Sequence, residues 1–151
     1  MRSLLKTIPL LASVFAIGEP AFATRIDDPA AFVRDVYRRL AASAHYQPPT
    51  DIYTPRLKAL FDEDRRRAKG EVGCIDFVFW TNGQDSNLRD VRVTSQAAGR
   101  PDRALVTATF IHERRQEIQL DFQKIGGRWL LDDACSLAGE TWILSKLLKC
   151  W

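Results

Sequence analysis

The chain has 151 residues, 46% of them hydrophobic and 27% charged, with a formal net charge of +3. These values fit one compact domain and exclude a disordered tail, a collagen-like rod and a multidomain machine. Three cysteines are too few for a disulfide-dense mini-protein.

Arg2 and Lys6 precede an apolar run from Ile8 to Ile17, and Ala21-Phe22-Ala23 follows. A basic start, an apolar stretch of about ten residues and an A-x-A site mark an export signal; a membrane span needs roughly 20 apolar residues. The expectation is a signal peptide over residues 1–23 and a single periplasmic domain over residues 24–151, soluble and without a membrane span. No cysteine stands at the cleavage point to carry a lipid. The remaining charges nearly balance, which argues against a nucleic-acid partner. Cys74, Cys135 and Cys150 all fall in the exported part. An oxidising compartment permits one disulfide among them, and three pairings are open.

Asp28-Pro29 is a cap-and-proline helix start, and Phe32, Val33, Val36, Tyr37, Leu40 and Ala44 recur at helical spacing. Thr54-Pro55 repeats the signal, Leu57, Leu60 and Phe61 give an apolar face, and Gly70 ends the second helix. Asp62 with Arg66 and Glu63 with Arg67 are set for i,i+4 pairs on a solvated face. Cys74 to Trp80 reads as a deeply placed strand, Asn82-Gly83 as a turn. Strands are then expected over Arg89 to Ala97, Arg103 to His112, Gln116 to Lys124 and Arg128 to Ala134, and a helix over Thr141 to Leu148.

Gly126-Gly127 is a two-residue hairpin loop in which both positions accept positive φ. Ile125 then faces Arg128, Phe122 faces Leu131, Leu120 faces Asp133 and Ile118 faces Cys135. Ile118, Leu120, Phe122, Trp129, Leu131, Asp133 and Cys135 share the helix-covered face, and Gln119, Asp121, Gln123 and Asp132 the other. Asp133 is therefore expected inside, where a carboxylate must be paired, hydrogen-bonded or protonated. Its roles divide between capping the next turn and facing a ligand. A one-residue slip exchanges it with Asp132. A three-residue turn at Glu113-Arg114-Arg115 puts Ala108 beside Leu120. His112 then sits at the sheet rim, about 13 Å from the level of Asp133 at ~3.3 Å per residue.

Asp76-Phe77 followed by Asn82-Gly83-Gln84-Asp85, and Gly127-Arg128-Trp129 followed by Leu131 and Asp133, resemble the motifs of a bacterial exported family, domain of unknown function 3828. A Leu-rich ending with Leu144, Leu147 and Leu148 is similar too. Leu131 and Ala134 stand where that family has isoleucines. The resemblance spans roughly Asp28 to Leu148. It implies an α+β fold: two N-terminal helices on a curved four- to five-stranded antiparallel sheet, a cystatin-like or nuclear-transport-factor-like cone, closed by a C-terminal helix. It implies an exported location and no particular activity.

In such a cone Tyr37, Trp80, Phe110 and Trp129 are apolar walls, and Asp76, Gln84, Asp85 and Asp133 the polar candidates. The ligand-binding set is thus Asp76, Trp80, Gln84, Asp85, Trp129 and Asp133. The leading expectation is a non-catalytic binder of a small molecule or an envelope protein, through the cone mouth or the open sheet face. Leu105 and Ile111 on that face suit a homodimer or partner. An alternative is a proton-transfer isomerase or dehydratase with Asp133 as base and Tyr37 as oxyanion donor. A third is an immunity-like or inhibitory protein-binding factor. The sequence lacks a Gly-rich phosphate loop, G-x-S-x-G and H-E-x-x-H, and no cysteine has zinc-ligand spacing with His45 or His112. No metal and no cofactor is therefore expected.

Overall fold

A computed structural model describes residues 23–85 and 87–151. The expected signal segment, up to residue 22, lies outside the described residues. The fold is α+β. Helices α1 (Pro29–Ala42) and α2 (Pro55–Ala68) precede five strands, β1 (Arg89–Ala97), β2 (Arg103–His112), β3 (Arg114–Ile125), β4 (Arg128–Ser136) and β5 (Trp142–Ile143), and a short helix α3 (Leu144–Leu147). The strands form one open antiparallel sheet in sequence order. No described helix is long and apolar enough to cross a membrane.

Both long helices start as their caps dictate. The Asp28 carboxylate accepts the Ala30 and Ala31 amides, and the Thr54 hydroxyl accepts the Leu57 amide; a proline follows each cap. Lys69 and Gly70 leave α2 at positive φ. The charged face of α2 pairs Glu63 with both Arg66 and Arg67. The expected Asp62–Arg66 pair does not form, because Lys58 and Arg65 occupy Asp62 instead. Val33, Val36, Tyr37 and Leu40 of α1 meet Val106, Ala108, Phe110, Ile118, Leu120, Phe122 and Leu131 of the sheet in one core.

The β2–β3 pairing sets Ala108 opposite Ile118 and Val106 opposite Leu120, two residues from the expected register. Glu113 alone separates the strands, at φ 57. A slip of two preserves the alternation, so the inward set is unchanged. The Gly126-Gly127 turn forms with both φ positive, and the expected pairs hold from Ile125–Arg128 to Phe122–Leu131. Beyond them Asp121 pairs with Asp133 and Gln119 with Cys135, so Asp132 is an extra residue, a β-bulge.

The bulge corrects the expected placement of Asp133 and Cys135. Both now lie on the face away from the helices, half-buried, and Asp132 is the buried carboxylate. Its cause is a change of neighbour along β4. Below the bulge, Leu131 bonds Ile52 and Thr54; above it, Cys135 and Ser136 pair with β5.

Two further expectations fail. Cys74 to Trp80 is not a strand. Its one ladder contact is the Val78–Gly83 bridge, and Phe79 and Trp80 plug the core from an irregular loop. A short apolar run is consistent with burial in either form. Thr141 to Leu148 is not one helix either. Trp142 and Ile143 extend the sheet, with Trp142 Nε1 donating to Asn82 Oδ1 at 2.8 Å. Only one helical turn remains. Cys74 and Cys150 form the disulfide, and Cys135 is free.

Candidate functional site

The open face of the sheet is built from alternate residues of its five strands. Across the ladders, Thr94, Thr107, Gln119, Cys135 and Ile143 form one row, and Gln96, Leu105, Asp121 and Asp133 the next. Leu105, Gln119, Asp121, Asp133, Cys135 and Ile143 line a cavity of about 170 Å³. A groove of about 390 Å³ adjoins it across Cys135 and Ile143 and runs to Leu137, Thr141 and Lys146. Thr107, opposite Gln119, is 5% exposed, and its hydroxyl has no hydrogen-bond partner among the described residues.

Three aspartates and two arginines border this face. Asp132 Oδ1 accepts the Thr54 hydroxyl at 2.8 Å and Arg56 Nε at 3.2 Å, and Oδ2 accepts Arg103 Nη1 at 3.0 Å. Burial pushes the Asp132 carboxyl up, but the bonds from Arg56, Thr54 and Arg103 outweigh it and hold it below the usual range. The same Arg103 nitrogen reaches both Asp121 oxygens at 3.2 Å. For Asp121 burial wins, and its carboxyl stays above the usual range.

Asp133 is occupied. Its carboxylate accepts the Ala134 and Ser145 amides at 2.9 and 3.0 Å and the Ser145 hydroxyl at 2.5 Å, which anchors the start of α3. Burial, followed by the charges of Asp133 and Asp121, pushes the Cys135 thiol up, which disfavours the nucleophilic thiolate. Tyr37 lies in the core on the other side of the sheet, where its hydroxyl donates to the Trp80 carbonyl at 2.6 Å. Asp133 and Tyr37 therefore line no common cavity, and the geometry that proton transfer between them requires is absent.

The other expected site residues are dispersed. Trp80 is a core wall against Tyr37 and Phe79. Trp129 is half-buried under the Lys124 ammonium at 5.5 Å. Asp76 and Gln84 are exposed. Asp85 meets His112 Nε2 at 2.5 Å, and this bond, with the Asn87 amide, holds its carboxyl below the usual range. His112 ends β2 at the rim of the sheet, as expected, but it is only 9% exposed rather than a surface residue. Gly83 packs on its ring, and a Cβ there would overlap His112 Cε1. Gly83→Ala is therefore expected to cost about 1–3 kcal/mol by overpacking. A lower denaturation midpoint together with shifted His112 ring resonances checks this; an unchanged midpoint refutes it.

Arg56, Arg103 and Asp132 were not legible as a cluster. Their only sequence signal is the Asp132-Asp133 doublet at a strand position where one slip decides the face. Asp64, Cys74 and Cys150 also bring ligand-type atoms within 4.8 Å of one another. The two sulfurs are bonded to each other, and Asp64 Oδ1 already accepts the Cys74 amide and Trp151 Nε1.

Compared with family models, curated proteins and solved structures, the chain matches none.

Proposed function

We propose that the protein is an exported, non-catalytic binding protein that takes a small molecule on the open face of its sheet. The observation that carries this reading is the contrast between the two faces. On the helix side Tyr37, Phe110, Phe122, Ile118 and Leu120 are fully buried in one packed core. On the other side a cavity and a groove meet at Cys135 and Ile143, and Thr107, opposite the cavity's Gln119, has a buried hydroxyl without a partner among the described residues. Buried polar groups without partners are uncommon, and a bound ligand is one way to satisfy them. Membership of the family resembled by the Asp76–Asp85 and Gly127–Asp133 segments belongs to the same proposal, as does periplasmic export.

A thermal-shift screen of small metabolites tests the reading. The expected result is a ligand that raises the melting temperature of the wild type by several degrees and of Ile143→Asp not at all, without being chemically altered. A shift that survives both Ile143→Asp and Leu105→Asp, or turnover of the ligand seen by NMR, overturns it. For export, N-terminal sequencing of the protein from the periplasm is expected to begin at Thr24. An uncleaved cytoplasmic chain refutes that part.

A further inference from the structure

The far end of the same face carries two arginines, Arg92 and Arg115, near Asp90 and Glu117. β1 contains a second bulge between Arg89 and Arg92, with Asp90 at φ 53. A non-glycine residue held at positive φ marks a backbone shaped against its own preference. Arg92 pairs with Thr109 in the ladder and Ile111 with Arg115, so two arginines flank β2 from opposite sides. Their backbones are about 12 Å apart, from ~4.8 Å per strand and ~3.3 Å per residue. Both side chains line one cavity of about 400 Å³, whose floor is Thr109, Phe110 and Ile111.

These two guanidiniums are poorly neutralised. Most other arginines on the surface are committed to carboxylates, as Arg38 and Arg39 are to Asp35 and Arg66 and Arg67 to Glu63. Arg92 has no carboxylate partner among the described residues, and Arg115 reaches Glu117 only at 4.0 Å. Asp90 lines the same cavity, yet no ion pair joins it to either arginine. Two like charges facing one concavity repel until an anion enters between them. Planar guanidiniums match the paired oxygens of a phosphate or carboxylate, and the Thr109 hydroxyl adds a neutral donor.

We propose that Arg92, Arg115 and Thr109 form a subsite for the oxyanion head of a small amphiphilic anion whose apolar part lies along Ile111. The proposal rests on the reading of this face as the binding face and adds the chemical class of what it holds. Bulges commonly re-aim side chains beside binding sites, and here the β1 bulge immediately precedes Arg92.

Isothermal titration at low ionic strength tests it, with n-butyl phosphate, inorganic phosphate and n-butanol as probes. n-Butyl phosphate is expected to bind, inorganic phosphate more weakly, and butanol not at all. Arg92→Gln and Arg115→Gln each weaken n-butyl phosphate about tenfold. Arg128→Gln, at the twin-glycine hairpin, leaves it unchanged. All three arginines are exposed, so these variants keep the fold. Absence of binding up to about 10 mM, or equal weakening by Arg128→Gln, overturns the subsite. Binding lost in Ile143→Asp but kept in both Arg92→Gln and Arg115→Gln also overturns it, while leaving the open-face reading intact.

Discussion

Reduction of the Cys74–Cys150 disulfide is expected to lower stability by about 4–5 kcal/mol, the largest single effect foreseen for this chain. The bridge spans 76 residues. In the chain-entropy description, closing so long a loop removes much of the freedom of the unfolded state. It also ties the tail after α3 to the loop behind α2, where Trp151 Nε1 donates to Asp64. Urea denaturation with and without dithiothreitol, and of Cys150→Ser without it, measures the effect. The two destabilised samples are expected to agree. Equal midpoints for bridged and reduced protein would sink the claim, and so would peptide mapping that finds Cys135 in the bridge. Cys135 lies on the open face and bonds no other sulfur.

Asp132→Ala is expected to cost about 2–4 kcal/mol. The residue is 6% exposed, and its carboxylate joins three parts of the fold. It accepts the hydroxyl of Thr54, which in turn accepts the Leu57 amide and so caps α2. It also accepts Arg56 from the first turn of that helix and Arg103 from β2. Truncation leaves the cap hydroxyl without its acceptor and leaves the half-buried Arg103 with Asp121 alone.

The pH dependence has a definite sign. The folded Asp132 carboxyl lies below its ordinary value of 3.8, so its stabilisation is present above that value and is lost as pH falls through the folded one. Asp121 acts oppositely: its folded value is raised, so its contribution fades as pH rises. Asp132→Asn is therefore expected to lose less stability than wild type between about pH 5 and pH 3. Urea midpoints at both pH values check this, and identical acid dependence in the two proteins would refute it.

The layout of the fold was legible where local chemistry decides it. Asp28-Pro29 and Thr54-Pro55 set both helix starts, and the alternation of Arg89 to Ala97 and Arg103 to His112 matched β1 and β2 end for end. The twin glycines set the β3–β4 turn. The candidate site was legible only in part, because it depends on what lies beside β4 rather than within it. Nothing in Arg128 to Ser136 announces that Leu131 will bond Ile52 while Cys135 bonds β5, and that exchange creates the bulge. An unbroken period therefore puts Asp133 and Cys135 on the wrong face. The Cys74–Trp80 segment misled for a related reason. Its aromatic residues are buried, but from a loop tethered by Cys74, and burial alone carries no period. The disulfide pairing was not legible at all, since it requires the approach of segments 76 residues apart.

The extra residue in β4 also makes this strand sensitive to chain length in a way no side-chain exchange reproduces. If all residues stayed but the bulge closed, β4 would run on unbroken from Leu131 and turn inside out, with Ala134 leaving the interior and Cys135 entering it; deleting position 132 instead removes the bulge and keeps Ala134 inside and Asp133 and Cys135 on the open face. A homologous strand without the bulge, aligned here with no gap, would therefore have residues equated that lie on opposite faces of the sheet.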